Sequence, residues 1–205
     1  MTAEVEFDEG YAAEQLRRAQ HPLRRVIKRF YLDNILREVQ GPTVDLGCGA
    51  GQLLRRLPAG SIGLEVNPHL VRQLKGEGLD VALYDAAADD FGLQPLQPAR
   101  YRTLVMAHVL EHFADAAAVL RKLLRSCRRL GIARVVIIVP GAKGYRSDDT
   151  HKTFVDRRYV ADNRLERSEG YTLAKSRYFP GDTERIGGMF TFHEMVLVFD
   201  AEAPR

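Results

Sequence analysis

The stretch Val44-Asp45-Leu46-Gly47-Cys48-Gly49-Ala50-Gly51 constrains this chain more than any other. Residues 43–46 predict a short strand, and three glycines at alternate positions then impose a tight turn. Glycine adopts positive φ without steric cost, so the backbone can bend sharply and let a ligand lie directly on it. Residues 52–57 predict a helix after the turn, closed by Pro58, whose N-terminus would present unpaired N–H groups. Glycine fingerprints also occur as plain structural turns, so the surrounding pattern has to decide.

That pattern alternates strand and helix. Residues 61–66 predict a strand, and Asn67-Pro68 opens a helix reaching about residue 77. Residues 80–84 predict a third strand, 101–107 a fourth and 132–139 a fifth whose run 135–139 is wholly apolar, as found in the middle of a parallel sheet. Between them, 86–100 is mostly loop and 114–130 an amphipathic helix. After a polar loop at 141–150, residues 154–166 predict a helix. Residues 171–179 and 190–199 predict two strands with no helix-length segment between them, hence an antiparallel edge hairpin. Upstream, apolar residues at three- and four-residue steps predict one or two helices over 11–40. The expectation is an α/β fold: a doubly wound, seven-stranded sheet, mostly parallel, with ligands at the carboxyl ends of its strands. Residues 1–41 form an N-terminal helical cap in this reading and 42–205 the ligand-binding domain, within one globular unit.

At 205 residues the chain suffices for one such domain. A net charge of +3 does not force a nucleic-acid partner, and the Arg residues at 17–29 and 121–134 interleave with apolar ones as on solvated helix faces. Cys48 and Cys127 form no motif together, which fits a reducing compartment. The acidic N-terminus has no apolar core, and the longest apolar run, 135–139, is far below the roughly 20 residues that span a membrane. A cytoplasmic location is expected.

Three acids sharpen the ligand class. Glu65 closes the second strand, where a carboxylate can accept from ribose hydroxyls. Asp85 ends the third, within reach of an adenine amino group. Asp45 sits inside the turn, where its charge would repel a pyrophosphate but suits the ammonium of a methionine. The sign favours S-adenosylmethionine over NAD.

Val44–Gly51, Gly63-Leu-Glu-Val-Asn67, Asp85 and His108-Val-Leu-Glu-His112 resemble motifs I to IV of the class I S-adenosylmethionine-dependent methyltransferases. The ubiquinone-biosynthesis O-methyltransferase-like group, or methyltransferase types 11 and 23, is the nearest in pattern. The resemblance covers residues 42–198 and implies a Rossmann-like sheet with an antiparallel edge. It implies cofactor contacts from Asp45, Gly47, Cys48, Gly49, Gly51, Glu65, Val66, Asp85, Ala86 and His108. Tyr101-Arg102 departs from the aromatic-Asp pair that often opens the fourth strand in that family.

For the acceptor, the sequence offers His108, Glu111 and His112 after strand four, and Tyr145, Asp148, Asp149 and His151 after strand five. Positions 108, 111 and 112 share one face if a helix starts there. With His151 they make a candidate divalent-metal set, similar to that of metal-dependent O-methyltransferases acting on ubiquinone precursors and small RNA, with His108 where those carry Glu. A general base at His151 or His112 is the alternative, and a purely structural role for Glu111 and His112 a third. Acidic neighbours favour His151 as base. The loop 140–154 reads as a substrate lid, and Tyr11, Tyr31, Arg24 and Lys28 could close the other side. His193 reads as structural; His21 and His69 carry no evident chemistry.

The expected function is O-methylation of a small metabolite or sugar. RNA methylation and non-catalytic cofactor binding are the alternatives.

Overall fold

The computed structural model describes residues 22–188 and 190–203, and the part of the cap before residue 22, with Tyr11 and His21, lies outside them. The side chains of Arg24 and Lys28 are likewise outside the description. The first helix, α1, is Pro22–Leu36. The strands are β1 (Thr43–Leu46), β2 (Ile62–Glu65), β3 (Val81–Leu83), β4 (Thr103–Ala107), β5 (Arg134–Pro140), β6 (Arg167–Ser168), β7 (Tyr171–Phe179) and β8 (Glu194–Ala201). The remaining helices are α2 (Pro68–Gly76), α3 (Ala116–Leu130), α4 (Ala142–Tyr145), α5 (Arg157–Asp162) and α6 (Glu184–Gly187).

One sheet runs in the order β3-β2-β1-β4-β5-β8-β7-β6. β1 to β5 are parallel, while β8 enters antiparallel between β5 and β7. The sheet is mostly parallel with an antiparallel end, as expected, but among the described residues it has eight strands where seven were expected. The additional strand, β6, pairs with the start of β7 across Glu169 and Gly170, both at positive φ, which is the backbone of a two-residue hairpin turn.

Alternation along the strands separates two cores. Leu104, Met106, Val135, Ile137, Val139, Leu197 and Phe199 face α3, which contributes Leu120, Leu123, Leu124 and Cys127. Val105, Val136, Ile138, Val196 and Val198 face the other way, against Leu53 and Ile35 of α1. β5 is covered on both faces, which is why it reads as an unbroken apolar run. Helix α3 is stopped cleanly: Asp115 Oδ1 accepts from Ala118 N, and Gly131 takes the left-handed conformation at its end.

Two predicted helices are shorter than the sequence suggests. Residues 52–57 contain only a 3₁₀ turn, Leu54–Arg56, because Leu57 before Pro58 is held extended at φ −72°, ψ 156°. The segment 154–166 is helical only over α5. Lys152 N and Thr153 N donate to the Glu111 carbonyl, so the chain is still extended there, and Asp156 starts the helix by accepting from Tyr159 N.

Beyond α1, Glu38 locks the helix end to the far strands. Its side chain is 4% exposed, and it accepts from Lys175 Nζ at 2.8 Å and Arg177 Nη2 at 3.2 Å, with Arg134 Nη1 at 3.8 Å. Burial alone would raise its pKa, but the bonds from Lys175 and Arg177 outweigh it and hold the carboxyl below its ordinary 4.5. A lowered folded-state pKa gives stability that is full above the unfolded value and lost as pH falls through the folded one. Glu38→Gln is therefore expected to lose about 1–2 kcal/mol at neutral pH, since it removes a charged acceptor from half-exposed Lys175 and from Arg177, and to flatten the fall in stability below pH ~4.5. Urea unfolding at several pH values measures both; a parallel pH profile for the variant would contradict the assignment.

Candidate active site

Gly47 and Gly49 have φ of +75° and +52°. A Cβ on Gly47 would sit 2.6 Å from Val109 Cγ2, whereas one on Gly49 would meet nothing within 4 Å. Gly47 is therefore a packing requirement, and Gly49 faces open space in which a ligand can rest on the backbone. The turn is not an anion nest. Gly47 N and Cys48 N donate to the Leu64 carbonyl, Gly51 N to the Cys48 carbonyl, and Gly49 N to Glu65 Oε2 at 2.8 Å. With these N–H groups committed and no α-helix following, little remains to hold a pyrophosphate.

Glu65 is buried at the end of β2, its other oxygen accepting from Asn67 N at 2.9 Å. The two bonds aim the carboxylate across the mouth of the turn. Asp45 is buried one residue before the end of β1. Together Asp45 and Glu65 add to burial in pushing the Cys48 thiol far above its ordinary pKa, so Cys48 stays a neutral packing group. Asp85, exposed after β3, accepts from Ala87 N and Ala88 N through Oδ1 and so shapes the turn that follows.

The second centre lies past β4. His108 holds φ +56°, a strained conformation for a residue other than glycine. Its Nε2 is 2.8 Å from Glu194 Oε1 and its Nδ1 3.4 Å from Glu111 Oε1. Burial opposes the imidazolium, but Glu194 and Glu111 outweigh it and push the His108 pKa up to about 10. The next residues form a 3₁₀ turn, Leu110–His112, and not the helix that would align 108 with 111 and 112.

Glu111, His112 and His151 converge instead, with one ligand atom from each within 4.8 Å of the others. His151 Nδ1 lies 2.8 Å from the Tyr145 carbonyl, which can only accept, so Nδ1 carries the proton and Nε2 a lone pair. That Nε2 is 3.8 Å from Glu111 Oε1. His112 Nδ1 is 3.1 Å from Thr150 Oγ1, which itself donates to Asp148 Oδ1 at 2.6 Å, so Nδ1 of His112 is the donor and its Nε2 is left as acceptor. The bonds from Thr150 hold the Asp148 carboxyl below its ordinary range. Glu111 is fully buried and neither of its oxygens accepts a hydrogen bond. Glu111 and the free Nε2 atoms of His151 and His112 are all acceptors, a set that a proton or a cation would complete, while His108 Nδ1 stands 3.4 Å from the same carboxylate.

Residues 44–133 match a family model described as a methyltransferase domain. The matched stretch runs from the second residue of β1 to the residue before β5 and so carries the glycine turn, Glu65, Asp85, Glu111 and His112. No curated protein matches the chain by sequence. Among solved structures it is similar to an S-adenosylmethionine-dependent methyltransferase from Archaeoglobus fulgidus, with TM-score 0.67 and 19% identity over 94% of this chain and 100% of that one. The N-methyltransferase NodS of Bradyrhizobium japonicum WM9, in complex with S-adenosyl-L-homocysteine, gives 0.65 and 14% over 95% and 98%. Magnesium protoporphyrin IX methyltransferase of Synechocystis PCC 6803, with the same product bound, gives 0.64 and 13% over 94% of each chain.

In this chain, Asp45, the glycine turn, Glu65 and Val66 gather at the ends of β1 and β2, with Asp85 and Ala86 beyond β3. His108 is not one of the three converging ligand atoms; it bridges Glu194 at 2.8 Å and Glu111 at 3.4 Å. Glu194 is absent from the sequence-based candidates; its only signal in the sequence is a charge directly before the apolar run 195–199. Tyr31 is buried, donates to the Phe192 carbonyl and meets Phe179 edge-on at 5.1 Å. His193 precedes β8 instead of lying within it, and is fully buried. Among the described residues no helix is long and apolar enough to cross a membrane.

Proposed function

We propose that this chain is an S-adenosylmethionine-dependent methyltransferase that methylates an oxygen of a small metabolite or sugar, at the carboxyl ends of β4 and β5. The convergence of Glu111, His112 and His151, acceptor-only and buried on the carboxylate side, carries this reading. An alcohol is a poor nucleophile until its proton leaves, whereas an amine attacks with a free lone pair, so a built proton acceptor points to oxygen. S-adenosylmethionine supplies an electrophilic methyl on a positively charged sulfur.

The chain's own residues do the rest. The open face at Gly49 and the neighbouring Asp45 receive the methionine part, Glu65 the ribose, and Asp85 the adenine edge. Cys48, Val66 and Ala86 line the same cleft, and His108, fixed as a cation between two carboxylates, marks its border with the acceptor side. His151 or His112 takes the acceptor proton on the Nε2 that its Nδ1 hydrogen bond leaves free. Glu111 stabilises the resulting imidazolium across 3.8 Å from His151. The same three residues fit a divalent cation, which would lower the acceptor's pKa as a Lewis acid. Residues 1–41 act as a cap and 42–205 as the catalytic domain.

Calorimetry with S-adenosylhomocysteine, followed by transfer assays with and without a chelator, tests the reading. Saturable product binding with hydroxyl-dependent transfer that fails in His151→Ala is expected. A folded protein that binds no S-adenosylhomocysteine, or transfers only to nitrogen, contradicts it. Gly49→Ala is expected to fold, losing about 1 kcal/mol to the left-handed backbone, and yet to bind S-adenosylhomocysteine at least tenfold more weakly. Unchanged affinity in the same calorimetry would place the ligand elsewhere.

A further inference from the structure

Four aromatic rings follow one another past the ends of β4 and β5. Phe154 and Tyr145 are 5.3 Å apart between ring centroids, Tyr145 and His151 5.5 Å, and His151 and His112 4.9 Å. The two outer contacts are tilted at 54° and 62°, but Tyr145 and His151 lie within 18° of parallel. At that separation a near-parallel pair is an offset stack, in which one ring covers a face of the other. Tyr145 therefore meets His151 twice. Its ring lies over the imidazole, and its main-chain carbonyl takes the Nδ1 proton at 2.8 Å.

The imidazole needs such a hold. Glu111 is fully buried, neither of its oxygens accepts a hydrogen bond, and its cation, His108 Nδ1, stands off at 3.4 Å. It therefore attracts any donor within reach. His151 Nε2 is 3.8 Å from Glu111 Oε1, about 1 Å beyond a charge-assisted hydrogen bond. In the other tautomer, with the proton on Nε2, the ring would close that gap and satisfy the carboxylate. The lone pair that accepts a proton would then be lost. Both groups of Tyr145 oppose this change: a deprotonated Nδ1 would face the carbonyl lone pair against lone pair, and the stacked ring holds the imidazole in the plane of that contact.

Tyr145 is itself firmly placed. It ends α4, its N–H bonded to the Gly141 carbonyl at 2.8 Å, and Phe154 backs its ring. A Cβ on Gly144 would come within 2.8 Å of the Thr191 carbonyl and 3.1 Å of Pro140 Cβ, so α4 lies hard against the end of β5.

We propose that Tyr145 is a positioning residue of the acceptor centre, holding His151 with its proton on Nδ1 and its lone pair on Nε2. The proposal rests on the reading of a histidine here as proton acceptor, and of the two candidates it is His151 that this arrangement prepares. Tyr145 acts through His151 and not on the acceptor. Its ring plane is what matters, so phenylalanine serves in its place and an aliphatic side chain does not.

The test is the histidine side-chain ¹H–¹⁵N NMR spectrum of the full chain above pH ~8, where an ordinary histidine is neutral. In the parent, His151 is expected as a single tautomer, with Nδ1 protonated and Nε2 bare. Tyr145→Leu keeps apolar bulk but no plane, and should lower the Nδ1-protonated share of His151 to about half or less. Tyr145→Phe should restore the parent spectrum. Both variants should keep the parent's melting temperature and bind S-adenosylhomocysteine within twofold of it; where leucine does not fold, Tyr145→Met repeats the comparison. A mixed or Nε2-protonated His151 in the parent, or an unchanged His151 spectrum in the folded aliphatic variant, overturns the proposal. A parent that binds no S-adenosylhomocysteine, or hydroxyl transfer undiminished in His151→Ala, overturns instead the reading on which it rests, whatever the tautomer.

Discussion

Glu65→Ala is expected to abolish useful cofactor binding, weakening S-adenosylhomocysteine by roughly a hundredfold or more. The side chain has two tasks that a single substitution removes together. It offers acceptor oxygens at the end of β2, and it satisfies Gly49 N at 2.8 Å and Asn67 N at 2.9 Å. Losing a charged hydrogen bond to the ligand costs about 2–3 kcal/mol, near two decades in affinity at about 1.4 kcal/mol each. Leaving two poorly solvated N–H groups without acceptors costs a further ~3 kcal/mol of stability, and the turn carrying Gly49 loosens with it. Glu65→Gln separates the tasks. Its amide oxygen can still serve one backbone donor, but its NH₂ then faces the other. The conservative variant should be less stable than the parent and more stable than the alanine. Calorimetry and urea unfolding on the three proteins read both quantities. Affinity within threefold of the parent for Glu65→Ala would remove Glu65 from the cofactor site.

Glu111→Gln is expected to move stability and turnover in opposite directions. Glu111 is fully buried with neither oxygen hydrogen-bonded, and its company is His108 at 3.4 Å and His151 at 3.8 Å. Burying a carboxylate so sparingly bonded is costly, and neutral replacements for such groups are often neutral or stabilising by ~1 kcal/mol or more. His108 keeps Glu194 at 2.8 Å, so its imidazolium is not stranded. Turnover should nevertheless fall, by up to about 10⁴, because the imidazolium formed at His151 loses its counter-charge, as when the carboxylate behind a catalytic histidine is neutralised. A melting temperature held or raised together with a collapsed turnover number marks strain kept for function. If stability falls in step with activity, Glu111 is a structural brace and the cluster loses its assigned role.

Much of the fold was legible from local pattern. β1 running into three glycines, the unbroken apolar run of β5 and the amphipathic span of α3 each encode their element within a few residues. The antiparallel end was legible from a negative feature, the lack of a helix-length segment between β7 and β8. Legibility failed where distant groups decide conformation. The helix expected over 154–166 is cut short because backbone N–H groups of Lys152 and Thr153 go to Glu111, some 40 positions earlier. The short β6 escaped notice because two residues carry no periodicity, and only Glu169-Gly170 hinted at its turn.

The candidate site divides in the same way. Asp45, Gly47, Gly49 and Glu65 could be singled out because strand, turn and strand end follow one another in the chain. His108, Glu111 and His112 looked like a set at helical spacing, but the backbone takes a 3₁₀ turn after a left-handed residue, and His108 swings to Glu194, 86 positions away.

The sequence by itself thus determined the alternation of strands and helices, the glycine turn and the acids that flank it, because backbone conformation and burial period are local properties of a chain. Tertiary structure alone decided that β8 inserts between β5 and β7, that Glu111, His112 and His151 meet, and that His108 is held between two carboxylates. Those outcomes depend on which faces bury one another, and a linear pattern records the period of a face without recording its neighbour.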